Sequence, residues 1–276
     1  MSKSAKPTKD FKFKHSLGQN FLSDTNLLRA IVSDAGVTEF DNVLEIGAGA
    51  GALTKELVKS AKRVVAVEVD RALMPVLDDL ANKNDNLSIV YADILKLKID
   101  DVAAFFDGEP FRVVANLPYY ITTPIIFYLL ESTLNIQSIT IMVQAEVAER
   151  IVANPGTKDY GAITPILQLY GTSKITRFVD RKMFTPAPNV DSAVLHLEVN
   201  KSDLSLILAT SKFIRACFAM RRKTLVNNIM HEYNINREEV EKILTQCNIP
   251  TNIRAEALTL QDFQNLLVEI KKYYIN

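Results

Sequence analysis

With 276 residues, 48% of them hydrophobic and 23% charged, the chain has ordinary globular composition and room for one large domain plus a small one. Only Cys217 and Cys247 are cysteines, with no metal-ligand spacing around them, which excludes a disulfide framework and a zinc site and suits a reducing compartment. The formal net charge of 0 hides an asymmetry: residues 39–109 carry 14 acidic and 8 basic side chains, whereas residues 174–223 carry 10 basic and 4 acidic. A basic face for a polyanion is therefore compatible with overall neutrality.

In chain order, the first fourteen residues form a basic arm, with Lys3, Lys6, Lys9, Lys12 and Lys14 against Asp10 alone. The arm lacks the apolar core of a signal peptide and no run approaches bilayer length, so a cytoplasmic protein without a membrane segment is expected. Asp24 fits the N-cap of a helix from Thr25 to about Ala35, with Leu27, Leu28, Ile31 and Val32 on one face and Gly36 ending it. Short β-rich apolar runs follow at Val43–Ile46, Val64–Glu68, Leu87–Tyr91, Val113–Ala115 and Ile139–Val143. Their near-continuous hydrophobicity indicates strands covered on both faces. Amphipathic segments such as Leu53–Ser60, Ala72–Ala81 and Pro124–Leu130 lie between them, and this alternation predicts a doubly wound, mostly parallel sheet of the α/β class. Beyond Glu149 a helix over 163–170 and strands over 174–179 and 192–199 are expected, the strands flanking the turn Phe184-Thr185-Pro186-Ala187-Pro188. After about Asn200 only helical periods recur, at 204–218, 224–231, 237–244 and 261–273. Two domains are thus expected, residues 1–200 and an all-helical domain over 201–276.

The first strand runs into Glu45-Ile46-Gly47-Ala48-Gly49-Ala50-Gly51, where glycines let the backbone approach a ligand at the start of a helix. Read as G-x-G-x-x-A, the loop passes as a dinucleotide fingerprint with Glu68 on the ribose. The acidic Glu45, with Asp93 and Asn116 at later strand ends, points instead to S-adenosylmethionine. Glu68 is placed to accept from the ribose hydroxyls and Asp93 from the adenine amine.

Asn116-Leu117-Pro118-Tyr119-Tyr120 ends the fourth of these strands. The exocyclic amine of a nucleobase is a weak nucleophile because its lone pair is delocalised into the ring. Two acceptors that take its N–H hydrogens draw it towards tetrahedral geometry. The Asn116 side-chain oxygen supplies one, and a main-chain carbonyl held by the extended conformation that Pro118 imposes on Leu117 supplies the other. Tyr119 offers a ring for the base to stack on. As an isolated pentapeptide the stretch also reads as a proline break beside two half-buried tyrosines. His15, His196 and His231 are scattered, and His196, alternating with apolar residues in a strand, reads as a surface or packed histidine.

Gln19-Asn20-Phe21-Leu22, Glu45-Ile46-Gly47-Ala48-Gly49, Asn116-Leu117-Pro118-Tyr119-Tyr120, Phe184-Thr185-Pro186-Ala187-Pro188-Asn189-Val190-Asp191-Ser192 and Arg221-Arg222-Lys223-Thr224-Leu225, in this order, resemble the bacterial small-subunit rRNA adenine N6-dimethyltransferases (KsgA-type). The resemblance runs from about Phe13 to the end of the chain. It implies a class I methyltransferase, Rossmann-like, that converts two adjacent adenines near the 3′ end of 16S rRNA in the 30S subunit to N6,N6-dimethyladenosine. It further implies that Asn20, Leu22, Gly47, Glu68, Asp93 and Asn116 contact S-adenosyl-L-methionine. It implies too that Asn116 and Tyr119 hold the target amine and ring, with Phe184 stacking from the other side, which makes Asn116, Leu117, Pro118, Tyr119 and Phe184 the catalytic candidates. Ala187 departs from the family, where proline is expected, but Pro186 and Pro188 still stiffen the turn. Lys212, Arg215, Arg221, Arg222 and Lys223 form a candidate phosphate-facing stripe or, equally, a solvated helix face. A monomer is expected.

Three other readings remain open from the sequence. A large-subunit (23S) rRNA adenine methyltransferase of the antibiotic-resistance type shares the catalytic stretch, although the long helical tail speaks against it. A mainly non-catalytic assembly checkpoint on the immature small subunit is compatible with every motif. A nicotinamide-dependent oxidoreductase rests on the glycine loop alone.

Overall fold

The β-branched runs and amphipathic segments resolve, in a computed structural model that describes residues 21–274, into a seven-stranded sheet followed by a helical bundle. Asn20 and the basic arm lie outside the described residues. The first part contains β1 (Phe21–Leu22), α1 (Thr25–Asp34), β2 (Asn42–Ile46), α2 (Thr54–Leu57), β3 (Arg63–Glu68), α3 (Met74–Ala81) and β4 (Leu87–Tyr91). It continues through α4 (Ile99–Ala104), β5 (Phe111–Asn116), α5 (Thr122–Leu130) and β6 (Ile136–Gln144) to α6 (Ala145–Ile151) and α7 (Ile163–Gln168). Then come β7 (Gly171–Val179), β8 (Phe184–Thr185), β9 (Ser192–Val199), α8 (Leu204–Cys217), α9 (Leu225–Tyr233), α10 (Arg237–Gln246) and α11 (Leu260–Tyr274).

The large sheet has the order β4-β3-β2-β5-β6-β9-β7. Strands β4, β3, β2, β5 and β6 are parallel, and β9 pairs antiparallel to β6. All five residues of β2 are buried, as strands covered on both faces require. One core cluster packs Leu28 and Ile31 of α1, Leu57 of α2 and Leu77 of α3 against Val43, Val64 and Val114 of the sheet. At the start of α1 the Asp24 carboxylate accepts from the Leu27 amide at 2.8 Å, the expected cap, and Gly36 ends the turn with φ +62°. Arg177 of β7 grips Asp34 at the other end of α1 with two bonds of 2.6 and 3.0 Å. The small sheet pairs β1 with β8 and sets Leu22 opposite Phe184.

The described chain divides into two compact units, residues 21–148 with 174–199, and residues 149–173 with 200–274. The expected single boundary after residue 200 therefore differs in one segment, 149–173, which belongs with the helices. The reason is long-range hydrogen bonding: Gly156 donates its amide to Glu256 O at 2.7 Å, and the buried Tyr160 hydroxyl donates to Leu258 O at 2.7 Å. Within this unit α8 buries Ile207, Phe213, Ile214 and Cys217 on one face, the expected helical period. Among the described residues, no helix is long and apolar enough to cross a membrane.

Candidate active site

Parallel strands end together, so β2, β3, β4 and β5 deliver their C-terminal residues to one edge, and that edge opens into a cleft. Gly47, with φ +76°, donates its amide to Val67 O at 2.8 Å, and a Cβ there would lie 3.8 Å from Asn116 O. A loop in left-handed backbone thus passes directly beside the end of β5. Among the cleft walls are Leu22, Gly47, Glu68, Asp93, Asn116, Leu117, Pro118, Tyr119 and Phe184, so the described candidates for cofactor and target converge on one site. Asn20, the remaining cofactor candidate, lies outside the described residues.

Glu68 is 6% exposed, and both its oxygens are engaged. Oε2 accepts from the Gly49 amide at 2.8 Å and Oε1 from the Asp70 amide at 2.7 Å. The carboxylate therefore fixes the glycine loop while keeping lone pairs for a ligand, since each oxygen has two. Glu45 differs. It is 1% exposed, its Oε2 has no hydrogen-bond partner, and its pKa is pushed up to about 8. Burial is the main cause; Thr54 pulls it back in part, and the negative charge of Glu68 raises it further. Asp93 caps the turn after β4, accepting from the Leu95 amide at 3.1 Å, and faces Lys96 at 3.5 Å.

A nucleoside with a cationic tail fits this set of acceptors. Two strand-end carboxylates suit hydroxyls and an amine, and a buried acid with one unpartnered oxygen suits an ammonium group.

At the end of β5 the chain turns sharply. Pro118 O accepts from the Ile121 amide and from the Thr122 hydroxyl, each at 3.2 Å, so this carbonyl is consumed inside the turn. Leu117 is buried, Tyr119 is half-buried and Tyr120 is 61% exposed. The Tyr119 hydroxyl shares a 2.7 Å hydrogen bond with Ser192 at the start of β9. Burial is the main cause that raises the Tyr119 pKa; the Ser192 hydrogen bond pulls it back in part and the nearby Asp191 charge raises it further, so the hydroxyl stays protonated at neutral pH. Phe184 is buried and held opposite Leu22 by the small sheet. Sequence reasoning passed over Ser192 as a functional residue. It closes the Phe184–Ser192 motif, and the period of two sets it on the same strand face as Val194 and His196.

The cationic candidates lie in the helical unit. Lys212 and Arg215 are exposed, three residues apart on α8, and Arg221, Arg222 and Lys223 are exposed in the turn between α8 and α9. The alternative of a solvated helix face is corrected for these last three, because α8 ends at Cys217 and α9 starts at Leu225. Asn228, 2% exposed, braces that turn: Oδ1 accepts from the Met220 amide at 2.7 Å and Nδ2 donates to Thr224 O at 3.3 Å. His196 is a packed histidine, with Nδ1 2.8 Å from Thr140 Oγ1 and Nε2 3.1 Å from Glu198 Oε2.

Residues 10–272 match the family model described as ribosomal RNA adenine dimethylase. The chain belongs to the ribosomal RNA adenine dimethylase family. Curated members similar to it include the ribosomal RNA small subunit methyltransferase A of Clostridioides difficile, 44% identical over 93% of this chain and 90% of that protein. The protein of the same name from Levilactobacillus brevis is 46% identical over 92% of this chain and 88% of its own length. Among solved structures, a dimethyladenosine transferase from Plasmodium falciparum matches with a TM-score of 0.78 and 27% identity, covering 91% of this chain and 98% of that one. The 23S rRNA methyltransferase ErmE matches with a TM-score of 0.70 and 26% identity, covering 91% of this chain and all of its own. The protein is thus an S-adenosylmethionine-dependent methyltransferase with the expected class I, Rossmann-like fold. The ErmE match has a consequence for the family's two substrate types. Because a large-subunit enzyme spans 91% of this chain, the helical tail as such does not separate them. The curated relatives do, since those at 41–46% identity are named for the small subunit.

Proposed function

We propose that the protein dimethylates the N6 amines of two adjacent adenines near the 3′ end of 16S rRNA in the 30S subunit or its precursor. The observation that carries this reading is the convergence of Asn116, Leu117, Pro118, Tyr119 and Phe184 on the cleft that also holds Gly47, Glu68 and Asp93. The small-subunit assignment is supported by the curated relatives, which are 41–46% identical and named for the small subunit.

Bound S-adenosylmethionine supplies a methyl group already activated on a sulfonium. The protein's contribution is then alignment and exclusion of water. Asn116 Oδ1 and the Leu117 carbonyl each accept one N–H of the target amine. Leu117 is the carbonyl assigned because that of Pro118 is taken up by Ile121 and Thr122. Tyr119 and Phe184 hold the base from its two faces. Once methylated, the nitrogen is cationic and acidic and loses its proton to water, so an amide rather than a carboxylate suffices at the centre of the site. Glu68 takes the ribose hydroxyls, Asp93 the adenine amine, Leu22 and Gly47 the nearby surface of the cofactor, and Glu45 the ammonium group, with Asn20 contributing from the segment before β1. Lys212, Arg215, Arg221, Arg222 and Lys223 bind rRNA phosphates, which makes the helical unit the RNA-binding part. The protein acts in the cytoplasm as a monomer, and its binding to the small subunit gives it a place in ribosome assembly.

Purified protein with labelled S-adenosylmethionine and either small-subunit or large-subunit particles tests this. Label in the small-subunit rRNA is expected. Label confined to the large subunit would overturn the substrate assignment, and label in neither would favour the checkpoint role.

A further inference from the structure

Tyr119 is fixed at two points. Its backbone sits in the turn that follows β5, and its hydroxyl is tied at 2.7 Å to Ser192. Ser192 is itself held within the sheet. It is fully buried, and it pairs with Gln144 in the β6–β9 ladder. The residue before it is pinned twice, since Asp191 O accepts from the Ala145 amide at 3.0 Å and Asp191 Oδ1 from the Arg181 amide at 3.0 Å. Phe184, the opposite wall of the base slot, begins the same short segment that Ser192 ends. One stretch of chain therefore places one aromatic wall directly and anchors the other through a hydroxyl.

We propose that Ser192 is a positioning residue for methyl transfer, holding the Tyr119 ring at the tilt and spacing from Phe184 that an adenine requires. The inference rests on the proposed role of Tyr119 in clamping the target base. A half-buried tyrosine without its hydroxyl anchor can turn about two side-chain bonds. The base would then stack on a moving platform, and the amine would be presented to the methyl group less often. A purely structural role is the competing explanation, because a buried serine hydroxyl needs some partner and Tyr119 supplies one.

A double-mutant cycle separates the two. Single-turnover methylation is measured on rRNA particles at saturating cofactor for wild type, Ser192→Ala, Tyr119→Phe and the double variant. Adenosine affinity is measured in parallel on the same proteins saturated with S-adenosylhomocysteine. Each single change removes the same hydrogen bond, so each is expected to lower the rate and weaken adenosine binding by about tenfold, with S-adenosylmethionine affinity unchanged. The double variant is expected to lose no more than either single one. Multiplying losses would mean that Ser192 acts independently of Tyr119 and would overturn the proposal, as would a Tyr119→Phe protein of wild-type rate and affinity. The second outcome decides the matter even where Ser192→Ala does not fold. If wild type methylates only large-subunit rRNA, the substrate reading fails and the cycle is read on that RNA. If wild type methylates neither, adenosine affinity alone decides the role of Ser192.

Discussion

Replacing Glu68 with alanine removes two kinds of interaction at once. Its oxygens hold the Gly49 and Asp70 amides at 2.8 and 2.7 Å, and the side chain is 6% exposed. Hydrogen bonds to a charged acceptor contribute about 1.5–3 kcal/mol each, so losing both would cost roughly 3–6 kcal/mol. Two effects reduce this. Water can enter the space left by the side chain, and the buried Glu45 is relieved of a like charge that raises its pKa. A net loss of about 2–4 kcal/mol is expected, lowering Tm by roughly 4–16 °C. Separately, the ribose hydroxyls lose a charged acceptor, which weakens S-adenosylmethionine by ~1–3 kcal/mol, or about 5–150-fold. Glu68→Gln divides the two contributions, since its amide oxygen can still accept from one backbone N–H while its NH2 group faces the other donor. It should fall between wild type and alanine in Tm. Calorimetric titration with S-adenosylmethionine and thermal unfolding of the free protein are the assays. An alanine variant with wild-type Tm and wild-type affinity would refute both the loop-bracing and the ribose role.

Asn116→Ala should lower the single-turnover rate on the order of a hundredfold or more, because one preorganised acceptor is removed as charge develops on the amine. Particle affinity, dominated by phosphate interactions, should barely change, and near wild-type dimethylation would be the contrary result. Replacing Arg221, Arg222 and Lys223 with alanine should weaken particle binding and flatten its salt dependence by a slope of roughly one unit or slightly less for each phosphate no longer neutralised. An unchanged salt slope would show that the turn is merely solvated. Glu45 sets a pH dependence. Its folded pKa, about 8, lies above the usual carboxylate value, so the folded protein holds an extra proton between the two, and free-protein stability should fall as pH rises from about 5 to about 8. Glu45→Gln should flatten that fall and raise Tm at pH 8 by a few degrees; a parallel pH profile for the variant would place the titrating group elsewhere.

The strands were legible because their chemistry is local. β2, β3, β5 and β6 are apolar runs largely buried on both sides, and polar residues of the site lie at the ends of β2, β3 and β5; β4 departs from that expectation, because at the sheet edge only Leu87 is fully buried. The Asp24 cap was legible for the same reason. What escaped is set by distant partners. A two-residue strand such as β1 has no periodicity, and only its pairing with β8 reveals that Leu22 meets Phe184. The antiparallel direction of β9 depends on how the chain returns to β6, which no local pattern records. Short helices such as α4 and α6 offer less than two turns of amphipathic signal. Segment 149–173 joined the helical unit through bonds to Glu256 and Leu258, about a hundred residues away. At the site, residue types were readable, but their engagement was not. Glu68 was read as a ribose acceptor and is also a brace for Gly49, and Ser192 acquires a role only through its hydrogen bond with Tyr119.

The central claim is that this cleft makes two adjacent N6,N6-dimethyladenosines in small-subunit rRNA. Its most direct test is mass spectrometry of rRNA digests after small-subunit particles lacking the modification are incubated with S-adenosylmethionine and the protein. Four methyl groups are expected on one fragment near the 3′ end of 16S rRNA, two on each of two neighbouring adenines, with strong depletion for Asn116→Ala. Unmodified 16S rRNA alongside methylated 23S rRNA from parallel large-subunit reactions would contradict the claim.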